Sequence, residues 1–232
     1  MKVTDREYAL ELDQNDPLAG YRSKFVITDP NLCYLDGNSL GRLPHATVKA
    51  VSDFLSQEWG NEVVTGWSHW IDEAQVAGDL LGRAVLGAGP GQVLVCDTTS
   101  VNFYQLCVAA IKEIPVRKTV ITDAANFPTD RYILKGIAEQ FGLKLIIIDN
   151  EDPAIAENEL ITAELLEKYM SEDVAMVTFE VIQYRSGART DIQSVTDLAR
   201  SYGALVVWDA SHAAGAIEMN FDACGVDLAV GC

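Results

Sequence analysis

The chain has 232 residues, with 17 Lys and Arg against 34 Asp and Glu, a formal net charge of −17. Hydrophobic residues make up 49% and charged residues 22%, a globular composition. A pI near 4.4 argues against a general nucleic-acid binder and against docking on anionic membranes, because the charge is repelled by both. Five scattered cysteines (Cys33, Cys96, Cys107, Cys224 and Cys232) form no CxxC pair, and the three histidines form no His-x-x-x-His. A reducing compartment follows, with neither a disulfide frame nor a metal site. The apolar runs 145–148 and 204–208 fall far short of the ~20 residues of a membrane-spanning helix. Residues 1–7 lack the apolar stretch of a signal peptide. The expectation is a cytoplasmic protein.

Residues 1–75 form a turn-rich segment, with Asn15-Asp16-Pro17, Asp29-Pro30-Asn31 and Asp36-Gly37-Asn38 as turns and a helix expected over His45–Trp59. A second helix, Ile71–Leu86, leads into the turn Gly87-Ala88-Gly89-Pro90-Gly91. From residue 76 to 232 a single larger domain is expected. Within it, β-rich runs at Val93–Cys96, Thr119–Thr122, Lys144–Ile148, Val174–Phe179, Leu205–Trp208 and Leu228–Val230 read as strands. Amphipathic stretches at Val101–Glu113, Arg131–Phe141, Ala163–Met170 and Ile192–Tyr202 read as helices; in the last, Ile192, Val195, Leu198 and Ala199 recur at helical spacing. Strands alternating with helices imply an α/β fold, a mostly parallel sheet with helices on both faces. Near-continuous apolar strands agree, because both faces are then covered. The chain stops at Ala229-Val230-Gly231-Cys232, at the end of an apolar strand, which leads us to expect a fragment of a longer domain.

Ligands of open parallel sheets bind outside the carboxyl ends of the strands, and three segments there carry functional groups. Asp97-Thr98-Thr99-Ser100-Val101-Asn102 follows a strand and opens a helix, so its hydroxyls and free N–H groups suit a phosphate; an ordinary N-cap explains some of them but not three hydroxyls in a row. Asn126-Phe127-Pro128-Thr129-Asp130 is a turn and helix start that also presents an aromatic ring for a planar ligand. Trp208-Asp209-Ala210-Ser211-His212 sets a carboxylate at a strand end with an imidazole one helical turn on, an arrangement suited to holding a proton on a ring nitrogen. Gly37-Asn38-Ser39-Leu40-Gly41 matches G-x-S-x-G, but Arg42-Leu43-Pro44 blocks the helix that a nucleophile elbow requires. The glycines at 87, 89 and 91 precede a strand rather than follow one, so they form no dinucleotide fingerprint.

Together these segments resemble the fold-type I pyridoxal-phosphate enzymes, and among them the kynureninase family. The resemblance starts at Tyr34-Leu35-Asp36-Gly37-Asn38-Ser39-Leu40-Gly41-Arg42-Leu43-Pro44. It continues through Glu58-Trp59-Gly60-Asn61, Trp67 and Trp70, and takes in the three strand-end segments in the family's order. It implies that Thr99 and Ser100 hold the phosphate of pyridoxal 5'-phosphate and that Phe127 stacks on its pyridine ring. Pro128, Thr129 and Asp130 lie in the same cofactor shell, Asp209 pairs with the pyridine nitrogen, and His212 lies beside the ring or its 3'-oxygen. The implied reaction is hydrolysis of L-kynurenine, or of its 3-hydroxy form, to anthranilate and L-alanine by a homodimer. Another class V aminotransferase or desulfurase chemistry, and a non-catalytic truncated product, are the alternatives. Glu180 stands where the family usually has Ser or Thr. The lysine that such enzymes link to the cofactor falls a few residues beyond Cys232, so a fragment inactive by itself is expected.

Overall fold

The computed structural model describes residues 2–150 and 160–232. The chain divides into two compact units, Met1–Ile71 and Asp72–Cys232. In the first, helices α1 (Arg6–Asn15) and α2 (His45–Asp53) are separated by turns, and α2 runs on into a π-helical turn at Phe54–Trp59. The segment around Ser39 is a closed turn: Ser39 Oγ donates to Asp36 Oδ1 at 2.8 Å, and the Arg42 guanidinium lies 5.1 Å from the Tyr34 ring. Trp70 is the packing centre of this unit. Its Nε1 donates to Glu58 Oε2 at 3.0 Å, and its ring lies 5.3 Å from Phe54 and 6.4 Å from Trp67. Such tilted and edge-on contacts suit aromatic quadrupoles.

The second unit is a five-stranded parallel sheet of β1 (Thr119–Asp123), β2 (Lys144–Ile148), β3 (Val174–Glu180), β4 (Leu205–Asp209) and β5 (Leu228–Val230), in the order β2-β1-β3-β4-β5. Its helices are α3 (Glu73–Leu81), α4 (Thr99–Glu113), α5 (Pro128–Phe141), α6 (Ala163–Glu167) and α7 (Ile192–Ser201). Successive strand residues point to opposite faces, and two cores result. Val120, Met176 and Val207 pack with Phe103 and Cys107 of α4 and Leu134 and Ile137 of α5. Ile121, Val177, Phe179, Val206 and Trp208 pack with Leu166 of α6 and Ile192, Val195 and Ala199 of α7. The sheet is therefore covered on both faces, as its continuous apolar strands require. Trp208 stays buried without an orphaned donor because its Nε1 reaches Thr196 Oγ1 at 3.1 Å. Among the described residues no helix is long and apolar enough to cross a membrane.

Helix starts follow their caps. Thr98, Thr162 and Asp191 accept side-chain hydrogen bonds from the N–H groups of Val101, Leu165 and Ser194. Pro128 sits at the first position of α5, where its missing N–H costs nothing. As a result α4 and α5 begin earlier than their apolar periodicity predicts. The expected strand Val93–Cys96 is absent. Its backbone groups pair with α3 instead: Val95 N–H donates to Ala74 O at 3.2 Å, and Gln75 Nε2 donates to Val93 O at 2.9 Å. β-Propensity yields here to a nearer set of polar partners. The approach is possible because residue 78 is glycine; a Cβ there would meet Val93 O at 2.0 Å.

Gly78→Ala tests that contact. Helix propensity favours alanine by about 1 kcal/mol, whereas forced overpacking costs about 1–3 kcal/mol or more. Backbone oxygen yields less easily than a side chain, so net destabilisation is expected in urea melts. A variant more stable than the parent would mean that the 93–96 segment does not lie against α3.

Candidate functional site

Three adjacent strands of the sheet end in carboxyl residues: Asp123 on β1, Glu180 on β3 and Asp209 on β4, with Glu180 opposite Asp209 in the register. The first turn of α5 adds Asp130. All four are buried, yet none forms an ion pair with a lysine or arginine among the described residues. Buried carboxyls resist ionisation, and the charge of Arg131 only partly offsets this at Asp123. Burial pushes Asp123 up to about 6, opposed by the amide groups of Asn150 and Gln183, which donate to its Oδ2 at 2.7 and 3.0 Å. Burial and the neighbouring Asp209 push Asp130 up to about 8, with the two carboxyls close enough to share a proton. Burial, then the charges of Asp209 and Asp123, push Glu180 up to about 9. Asp209 Oδ1 accepts the N–H of Ser211 at 2.8 Å. Asp123 Oδ1, Asp130 Oδ2, Gln183 Oε1 and both Glu180 oxygens are buried with no hydrogen-bond partner. Thr178 Oγ1 and Arg131 Nε are also buried without partners, so unmatched acceptors outnumber unmatched donors here.

Aromatic side chains stand beside this acidic group. Phe127 meets Tyr184 edge-on, with centroids 5.2 Å apart at 82°, and His212 lies 6.4 Å from Phe127 and 6.2 Å from Tyr184. Phe127 is set by Asn126, whose Oδ1 accepts the Phe127 N–H at 2.6 Å while its Nδ2 donates to Thr122 Oγ1 at 2.9 Å. His212 lies in a turn rather than on a helix, the turn being closed by Ala213 N–H to Ala210 O at 2.9 Å. The Ala210 N–H donates to Val230 O at 2.7 Å, which pins that turn to β5. Of the residues singled out in the sequence, Phe127, Asp130, Asp209 and His212 come together in this group. Pro128 and Thr129 complete the first turn of α5.

Thr99 and Ser100 occupy the first two positions of α4, half-buried, while Thr98 does the capping. No hydrogen bond engages either hydroxyl among the described residues, and none links them to the acidic group. Asp97, just before the cap, has φ +46°, an uncommon conformation for a residue other than glycine. Asn102 steadies the bend, its Nδ2 donating to Cys96 O at 2.7 Å. The helix start therefore offers uncommitted donors of the kind an anion needs.

Sequence reasoning missed Tyr184, Asp123 and Gln183. Asp123 was legible in principle as an acid closing an apolar strand, as Asp209 is. Tyr184 and Gln183 lie in the irregular chain after β3 and carry no periodic signal.

Residues 33–231 match the family described as aminotransferase class-V. A kynureninase of Pseudomonas fluorescens is 34% identical over 99% of this chain and 54% of its own length. One from Burkholderia pseudomallei is 35% identical over 98% of this chain and 53% of its own. The chain thus spans about half the length of the curated relatives it matches. Among solved structures, the Escherichia coli cysteine desulfurase CsdA superposes with a TM-score of 0.70 at 16% identity, covering 93% of this chain and 54% of that one. A NifS-like protein gives 0.71 at 18%, covering 84% and 53%. At such identities the likeness concerns the fold.

The acidic group makes stability depend on pH. Asp123, Asp130 and Glu180 have folded pKa values above those of the unfolded chain, so the folded state binds more protons. Their contribution is complete below about pH 4 and is lost as pH rises through about 6, 8 and 9. Urea midpoints of the cofactor-free protein should therefore fall between pH 6 and 9. Asp130→Asn should flatten that slope by removing one titrating group. A midpoint rising toward pH 9 would contradict the buried-acid geometry.

Proposed function

The chain belongs to the class-V aminotransferase family, whose cofactor is pyridoxal 5'-phosphate, and from that membership we propose that it supplies the cofactor site of a kynureninase-like hydrolase. The observation that carries this reading is the Asp130–Asp209 pair, buried beside Phe127 and His212 with Asp130 Oδ2 lacking a donor. A protonated ring nitrogen would bring this carboxyl pair an N–H for Asp209 and a positive charge beside Asp130, so the residues fit the cofactor. When bound, that group supplies an electron sink for charge developing on an amino-acid substrate.

The chain's own residues have separable tasks in this reading. Asp209 accepts the ring N–H and keeps it protonated. Asp130 holds a proton against Asp209 until a cation takes over that role, because two carboxylates this close do not both ionise readily in a buried site. Phe127 lies against the ring, and the first turn of α5, with Pro128 and Thr129, fixes where Phe127 and Asp130 point. Thr99 and Ser100 donate their hydroxyls and backbone N–H groups to the phosphate. His212 orients a proton at the ring's 3'-oxygen side. L-Kynurenine, or its 3-hydroxy form, is the substrate, cleaved to anthranilate, or its 3-hydroxy form, and L-alanine by a cytoplasmic homodimer. The identity to kynureninases along nearly the whole chain supports this choice over desulfuration or transamination.

Following anthranilate release from L-kynurenine in the protein that carries this sequence tests the reaction. Cleavage of L-kynurenine without sulfur release from L-cysteine is expected; the reverse pattern would overturn the assignment. The phosphate role is tested by Thr99→Ala with Ser100→Ala. Each lost hydrogen bond to a charged group is worth about 1.5–3 kcal/mol, so dialysis should strip cofactor from the double variant far faster, with cofactor-free melting little changed. Equal retention would assign the phosphate elsewhere. Asp209→Asn should weaken cofactor binding by a similar amount and depress turnover more strongly, because charge develops on the ring during reaction. Near-normal turnover would remove Asp209 from the ring nitrogen.

A further inference from the structure

Glu180 is not accounted for by any of these roles. It closes β3, is only 1% exposed, and neither carboxyl oxygen has a hydrogen-bond partner. Burying unmatched acceptors in this way is costly, so the arrangement calls for a partner. Besides the Tyr184 backbone N–H, one basic side chain is in reach among the described residues: His212 Nδ1 stands 3.8 Å from Glu180 Oε1. That exceeds hydrogen-bond length, and a shift of about 1 Å closes it. Such contacts are often long before the ligand is bound.

We propose that Glu180 is the positioning residue for His212, a neutral carboxylic acid whose O–H donates to Nδ1 and thereby fixes the proton of the imidazole on Nε2. The groups facing Glu180 decide its charge. Asp123 on β1, Asp130 on α5 and Asp209 on β4 are all carboxyls, and they disfavour a further negative charge. The Tyr184 N–H pulls the other way, but burial outweighs it, and the carboxyl is held up at about 9. His212 lies beside the Phe127–Tyr184 pair, its ring centroid 6.4 and 6.2 Å from theirs, and the pairing with Glu180 sets which nitrogen carries the proton. With Nδ1 occupied by Glu180, Nε2–H is the donor left to face the ring site. The pairing stands on protein geometry alone; only its use toward a cofactor rests on the reading given above.

The test is nitrogen NMR of the histidine-labelled 232-residue protein without cofactor, taking as His212 the signal missing from His212→Asn. Wild type should show the Nε2–H tautomer at pH 7. Above about pH 9, where Glu180 ionises and becomes an acceptor, the signal should switch to Nδ1–H. Glu180→Gln is a neutral mimic of the acid and should fold as wild type does. In it the imidazole should keep one tautomer across the same range. An Nδ1–H tautomer or an imidazolium in wild type at pH 7 would overturn the proposal, as would an alkaline switch that persists in Glu180→Gln. Failure of the protein to bind pyridoxal phosphate would leave these spectra unchanged and would count only against the cofactor reading.

Discussion

Four carboxyl groups are buried together at one end of a parallel sheet, and the chemistry of the second unit depends on how their charge is managed. Asp123, Glu180 and Asp209 end the three central strands, and Asp130 faces them from α5. Four negative charges in so small a buried volume are not sustainable, since burial and mutual repulsion both favour the protonated forms. Donors relieve part of this: amide groups from Asn150 and Gln183 on one oxygen of Asp123, helped by the charge of Arg131, and the Ser211 N–H on Asp209. Burial and mutual repulsion hold Asp130 and Glu180 toward their protonated forms. A site built this way has a standing preference for a cationic donor, which a protonated pyridine fulfils.

The rest of the unit holds that arrangement rigid. Both sheet faces are covered, so the strand ends are fixed by cores on either side. At the opposite end of the strands, Arg117 ties β3 to the residue after α7, its Nη1 donating to Val174 O and Tyr202 O at 2.8 Å each. Thr119 Oγ1 donates to Asp173 Oδ2 at 2.6 Å and joins the starts of β1 and β3. Polar clamps below and packed apolar layers along the sheet leave the carboxyl ends as the place where unsatisfied groups collect. Binding sites of open α/β sheets occur there for the same topological reason.

Much of this was legible in the residues themselves. β1, β3 and β4 appear as apolar runs because they are buried on both faces or nearly so, the edge strands β2 and β5 are apolar though only partly covered, and α7 appears from its clean helical spacing. Asp209 was visible because it directly follows a strand signal, and Phe127 because it sits in the turn between a strand and a helix start. Val93–Cys96 misled because four β-prone residues look the same whether they pair with a strand or lie along a helix, and the deciding feature was the missing Cβ of Gly78. The spacing of His212 from Asp209 was visible in the sequence, and a turn provides it. The grouping of Glu180 with His212, and the edge-on contact of Tyr184 with Phe127, depend on how irregular chain after β3 and β4 folds back, and no local pattern encodes that.

In the proposed reading, protonated buried carboxyls occupy the site until a cationic ring takes over their role. Infrared difference spectroscopy reads it directly through the carbonyl stretch of a protonated carboxyl. The cofactor-free protein at neutral pH should show such a band, part of it absent in Asp130→Asn, and adding pyridoxal phosphate should diminish it because a neighbouring cation favours the ionised acid. A cofactor-free protein with no protonated-carboxyl band at neutral pH would contradict the account.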